Sequence, residues 1–190
     1  MIRSIPDFPR SDSGSDVDFR HVLNIAQKRG GLRLCVSLLQ THFTGDWSKV
    51  DAIVCCQAAG FIIGSGLSIQ VDVPLVLIRG GRKFPPPTVS VLNPRSHISS
   101  VGLKDGNVKV IELEEELLSS NAFVAVMDDV FASRCTLYVV LQLLHQVRIS
   151  SEKIQVIIVA EFPAYGGLGF LREQGAGGVN IQSLLVLGGL

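Results

Sequence analysis

The chain has no excess of charge of either sign: 17 Lys and Arg stand against 17 Asp and Glu, a formal net charge of +0 over 190 residues. No basic cluster is longer than a pair such as Arg82-Lys83. Such a surface has no field to gather a polyanion, so nucleic acid is not an expected partner. Long apolar runs are also missing. Mean hydropathy is high at +0.39, yet runs such as Ile53–Cys56 and Val156–Ala160 stop far short of the roughly 20 residues that cross a bilayer. They read as buried strands, and no membrane partner is expected. The opening Met1-Ile2-Arg3-Ser4-Ile5-Pro6 shows neither an apolar stretch nor a small-residue cleavage pattern, so a cytoplasmic location is expected. The four cysteines, Cys35, Cys55, Cys56 and Cys135, form no C-x-x-C pair, which argues against a zinc knuckle or a thioredoxin-like site. They read as reduced and mostly buried. No internal repeat and no second domain are visible. A composition 47% hydrophobic and 18% charged fits one soluble domain over residues 1–190 with a single sizeable core.

What is present is an alternation of strand and helix signals. Residues 1–20 are rich in Pro, Ser, Asp and Gly, with Pro6, Pro9 and the run Ser11-Asp12-Ser13-Gly14-Ser15-Asp16, and read as an irregular N-terminal arm able to cover a pocket. Helical spacing, broken at Gly30-Gly31, predicts a helix from Leu32 to Phe43. Val50–Cys56 reads as a buried strand, Ala58–Val71 as a Gly-punctuated loop running into a helix, and Pro74–Ile78 as a second strand. A basic, Gly/Pro-containing loop over Arg79–Pro87 precedes the β-branched stretch Thr88–Val91. Asn93–Asn107 reads as mobile. Val108–Leu113 is a candidate strand leading into the acidic segment Glu112-Leu113-Glu114-Glu115-Glu116, and Phe123–Met127 is an apolar run of parallel-strand type that ends in two acids. Leu137–Val147 has helical periodicity, Ile154–Ala160 is another buried strand, Gly166–Gly178 is a Gly-rich tail, and Val179–Leu187 supplies a last strand. The fold class expected is α/β, a parallel twisted sheet flanked by helices.

In such sheets ligands sit beyond the carboxyl ends of the strands. That rule selects the loops Gln57–Phe61, Arg79–Pro85 and Asp128–Thr136. In the last, an apolar strand leads into Asp128 and Asp129 and then a short loop opening a helix. Acids there can take ribose hydroxyls or help hold a metal, while backbone N–H groups at the helix start take a phosphate. Read as scaffold, the same two residues simply cap the strand end and the helix. Cys55-Cys56 reads as packing, whereas Cys135, at a helix start that lowers a thiol's pKa, is the better candidate for a reactive thiol.

The run Val124-Ala125-Val126-Met127-Asp128-Asp129-Val130-Phe131-Ala132-Ser133-Arg134-Cys135-Thr136 resembles the phosphoribosyl-pyrophosphate motif of type I phosphoribosyltransferases. Ile2–Pro9, Phe19-Arg20-His21-Val22, Ala59–Gly64, Ile78-Arg79 through Ser90, and Ala160-Glu161-Phe162 with Gly167 and Leu171 resemble segments of the adenine branch, in order and over nearly the whole chain. The resemblance implies a small N-terminal hood on the sheet and a homodimer. It also implies a small-molecule site in which Asp128, Asp129 and His97 are the catalytic candidates. Phe19, Arg20, Ala59, Arg79, Lys83, Ala132, Ser133, Arg134, Cys135, Thr136 and Glu161 would line it. Magnesium is implied only with phosphoribosyl pyrophosphate, through Asp128 and Asp129.

This chain also departs from the pattern that the resemblance implies. Arg134 and Cys135 stand where the family's loop has glycines whose amides approach a 5′-phosphate. Ala59 stands in place of an arginine, and Gly80 and Gly81 where lysine is common. His97 is the proton-transfer group left in the stretch Leu92–His97 that matches the family's mobile loop. These losses of charge and of close-approach glycines favour a scaffold repurposed to a non-phosphoribosyl small-molecule reaction, an isomerase, lyase or cyclase in biosynthesis. An active purine phosphoribosyltransferase making AMP from adenine and phosphoribosyl pyrophosphate is the second reading, and a non-catalytic ligand-binding regulator the third.

Overall fold

The computed structural model describes residues 3–4, 20–81, 83–93, 109–132 and 136–188. Two short strands, β1 (Arg3–Ser4) and β2 (Arg20–His21), pair antiparallel with Arg3 opposite His21. The ends of the expected arm thus meet as a ribbon, and residues 5–19 lie outside the described residues.

Seven strands make the main sheet: β3 (Ala52–Cys56), β4 (Leu75–Gly80), β5 (Thr88–Asn93), β6 (Lys109–Glu114), β7 (Val124–Phe131), β8 (Ile154–Glu161) and β9 (Asn180–Val186), in the order β5-β6-β4-β3-β7-β8-β9. The five strands from β4 to β9 across the sheet are parallel, whereas β5 and β6 form an antiparallel ribbon added to β4 through Arg79 opposite Glu112 and Gly80 opposite Ile111. The expected parallel sheet flanked by helices is thus present, with an antiparallel ribbon added at one edge. The basic loop leads from β4 to β5, and β6 then inserts between the two, antiparallel to both.

All five residues of β3 are buried, because helices cover both faces. Helices α1 (Gly31–His42) and α2 (Ala59–Val71) lie on one face, where Val36, Leu39, Ile63 and Leu67 join Ile53, Cys55, Met127 and Val159 in one core. On the other face α3 (Thr136–Gln146) sets Leu137, Val140, Leu141 and Leu144 against Val54, Val76, Val126 and Val156. A short helix, α4 (Gly167–Glu173), adds Leu171 to that second core, so the Gly-rich tail contains a turn of helix.

Two sequence expectations shift near the site. The stretch from Ala58 is helical almost at once, not a loop, and the cause is packing. A Cβ on Gly64 would come within 2.1 Å of the Cys55 Sγ, and one on Gly60 within 3.0 Å of the Met127 carbonyl oxygen. The glycines at i and i+4 let α2 lie against β3 and β7, so they serve close approach and do not mark a turn. The strand expected to end at Met127 runs on to Phe131, held by β8 through pairs as far as Phe131 with Glu161.

Candidate active site

The chain leaves the sheet on opposite sides after β3 and β7. From β3 it passes through α2 to β4, and from β7 through α3 to β8, so the strand order reverses between these two neighbours. A crevice opens at such a reversal, beyond the carboxyl ends of the strands. The last pair between them is Cys55 with Met127. Beyond it, β7 keeps β8 on one side only, and Asp128 and Asp129 come at the point where the β3 side opens.

Both acids are partly buried. The Asp129 backbone N–H donates to Asp128 Oδ1 at 3.0 Å. Burial first, and the neighbouring charge of Asp129 second, hold the Asp128 carboxyl well above the usual carboxylate range. A Cβ on Gly60 would lie 3.4 Å from Asp128 Oδ1, so the first turn of α2 is set directly against this carboxyl. The N-cap residue, Ala58, makes no side-chain cap bond, and in the first turn the Phe61 N–H donates to the Ala58 carbonyl at 3.2 Å. The positive end of the helix dipole lies at this start, beside Asp128. Ala59, the first residue of α2, is at the rim.

Across the crevice the basic loop is tied down by Gln57, from the first of the three expected loops, and by Glu112, which was not among the residues expected there. The Glu112 side chain, 4% exposed, accepts hydrogen bonds from the backbone N–H groups of Lys83 and of Phe84, the latter at 3.2 Å. Gln57 follows β3 directly, and its Oε1 lies 3.4 Å from the Gly80 N and 3.5 Å from Lys83 Nζ, at the long end of hydrogen-bonding range. The Arg79 guanidinium stands 5.4 Å from the centroid of the Phe84 ring, within reach of a cation–π attraction. Lys83 and Arg79 are thus brought to the neighbourhood of the α2 start. Glu112 belongs to the buried strand and not to a solvated acidic run. Its signal in the sequence is an acid set among the apolar residues Val110, Ile111 and Leu113.

Other expected residues are placed differently. Ala132 is buried where β7 ends, and Thr136 is the exposed first residue of α3. Glu161 is buried at the end of β8, where its Oε2 accepts from the Ser183 hydroxyl of β9 at 2.7 Å. Its contact is with the outer edge of the sheet. Arg20 lies on β2, with only its backbone described. Phe19, His97, Ser133, Arg134 and Cys135 lie outside the described residues. Cys55 and Cys56 are buried, and desolvation, with Asp128 nearby, pushes both thiols up. They are packing residues, as expected, because a thiol so held yields little thiolate.

A doubly wound sheet with an acid pair at its reversal point and cations beside a helix start defines a nucleotide- or sugar-phosphate-handling class of protein. Residues 21–167 match the family model described as the phosphoribosyl transferase domain. The chain belongs to the phosphoribosyltransferase family, as a type I, adenine phosphoribosyltransferase-like member. It is 30% identical over 167 residues to the adenine phosphoribosyltransferase of Mus musculus, an alignment covering 87% of this chain and 84% of the relative. With that of Marinobacter nauticus it shares 29% over 174 residues, covering 92% and 87%. Among solved structures, adenine phosphoribosyltransferase from Giardia lamblia with 9-deazaadenine superposes with a TM-score of 0.79 at 20% identity, over 98% of this chain and 93% of that one. The fold is the same.

These relatives overturn the expectation of a repurposed isomerase, lyase or cyclase. Proteins named for adenine phosphoribosyl transfer match most of the chain at about this identity. Of the departures that prompted the expectation, Ala59 is a half-buried residue at the start of α2, Gly80 and Gly81 lie at the end of β4 and in the loop after it, and Arg134 and Cys135 lie outside the described residues, while the acid pair and the glycine-mediated seat of α2 against β3 and β7 are present.

Proposed function

We propose that the protein is an adenine phosphoribosyltransferase, joining adenine to the ribosyl group of phosphoribosyl pyrophosphate to give AMP and pyrophosphate. The observation that carries the reading is Asp128-Asp129 at the strand reversal, against the start of α2 and beside the tethered Arg79–Lys83 loop. Asp128 and Asp129 accept the ribose hydroxyls and orient the sugar. Lys83 and Arg79 attract the departing pyrophosphate, and the positive end of the α2 dipole adds to that attraction. Thr136 and the amides at the start of α3 face the 5′-phosphate end of the ligand. Catalysis of this kind is mostly positioning and electrostatics.

Among the described residues no group of three or more His, Cys, Asp or Glu is arranged to hold a metal ion. Two adjacent carboxylates do fit Mg²⁺ of the kind that keeps its waters and is held through one or two carboxylates plus substrate phosphates. Bound there with pyrophosphate, it would neutralise phosphate charge. The reading carries with it a cytosolic homodimer. Support comes from the exposed Leu34, Leu38, Ile62 and Ile69 on α1 and α2, and from the absence, among the described residues, of any helix long and apolar enough to cross a membrane. Incubation with adenine, phosphoribosyl pyrophosphate and Mg²⁺ is expected to yield AMP and pyrophosphate in equal amounts. No AMP at high enzyme concentration refutes the reading.

A further inference from the structure

We propose that Glu112 is a positioning residue that aims the two cations of the basic loop, Arg79 and Lys83, at the pyrophosphate of the substrate; this rests on the phosphoribosyl-transfer reading of the site. A carboxylate this deeply buried is costly unless donors surround it. Here the donors are the successive backbone amides of Lys83 and Phe84, and charge-assisted bonds of this kind are among the stronger ones. The loop they hold contains Gly81, whose φ of +51° sets the turn, and Gly81 N–H itself donates to the Val110 carbonyl of β6 at 2.8 Å. Three amides of the loop are therefore fixed to one strand.

The consequence for the side chains is direct. With the Phe84 amide pinned, the ring stays under the Arg79 guanidinium. With the Lys83 amide pinned, Nζ reaches toward Gln57 Oε1. Arg79 is also the residue opposite Glu112 in the ladder. Both cations thus take their direction from one side chain that touches no substrate. Without Glu112 the two positive charges would remain, but on a loop free to swing them away.

Amide hydrogen exchange on the wild-type chain, read residue by residue, tests the anchor itself. The Lys83 and Phe84 amides are expected to exchange at least about tenfold more slowly than an unprotected peptide. Exchange at unprotected rates overturns the proposal without any variant. In Glu112→Ala that protection is lost, KM for phosphoribosyl pyrophosphate rises about tenfold or more, and KM for adenine stays within about twofold. Glu112→Gln keeps an acceptor oxygen and recovers both properties. Equal rises in both KM values, or a fall in kcat alone, mark a general loss of structure and overturn the proposal. A wild-type chain with both amides protected that makes no AMP and binds no inorganic pyrophosphate refutes the transfer reading and with it the aiming role, whereas unprotected amides in an active enzyme refute the anchor alone.

Discussion

Ala59 sits at the first turn of α2, where an arginine would reach over the crevice that Lys83 and Arg79 border. Replacing it, Ala59→Arg, adds a guanidinium without disturbing the scaffold. Arg is a good helix former, so the local cost is only about 0.2 kcal/mol, and the position is at the rim, half-buried and outside both apolar cores. A hydrogen bond to a charged group contributes about 1.5–3 kcal/mol, which corresponds to roughly 10- to 150-fold in kcat/KM. Solvent at a half-open rim screens part of this, so a gain near the lower end, about tenfold, is expected. Because pyrophosphate is held in both ground and transition states, most of the gain should appear as a lower KM for phosphoribosyl pyrophosphate. Initial rates of AMP formation at varied phosphoribosyl pyrophosphate and saturating adenine measure it. A well-folded Ala59→Arg protein whose KM changes less than about twofold refutes the view that this rim faces pyrophosphate.

Three further outcomes are expected. Asp128→Asn lowers transfer at least about 100-fold while raising Tm by roughly 2–4 °C near pH 8. The raised carboxyl of Asp128 stabilises the fold fully below its ordinary pKa of 3.8 and loses that contribution as pH climbs through its folded value, so the two melting curves should converge in acid; an advantage that grows in acid instead contradicts the assignment. Gly64→Ala, whose new Cβ meets Cys55 Sγ at 2.1 Å, costs about 1–3 kcal/mol by urea denaturation, more than the roughly 1 kcal/mol of helix propensity it gains. Adding Cys55→Ala should recover most of it, and additive losses in the double-mutant cycle would disprove the contact. Mass spectrometry after brief iodoacetamide treatment of the native chain at pH 8 should find Cys55 and Cys56 unmodified and both labelled after unfolding.

The order of elements was readable because each buried strand is a short apolar run with β-branched residues, as in Ile154–Ala160, and the acid pair was readable because it interrupts such a run. The Glu112 anchor was not. Its partners are backbone amides about 30 positions away, and a backbone donor carries no letter in a sequence. The helical start at Ala59 was misread for a related reason: Gly60 and Gly64 look like turn residues locally, and only the neighbouring Cys55 and Met127 show that they admit close packing. The antiparallel ribbon of β5 and β6 escaped notice because strand direction leaves no mark on composition.

The seat of α2 also bears on how such a site diverges. The start of α2 is set against β3 and β7 by Gly60 and Gly64, while the cations Arg79 and Lys83 stand on side chains of a separate loop. A lineage can therefore exchange a cation at position 59 or 80 by single codon changes without remaking the ground beneath it, and drift in ligand preference can proceed through folded intermediates.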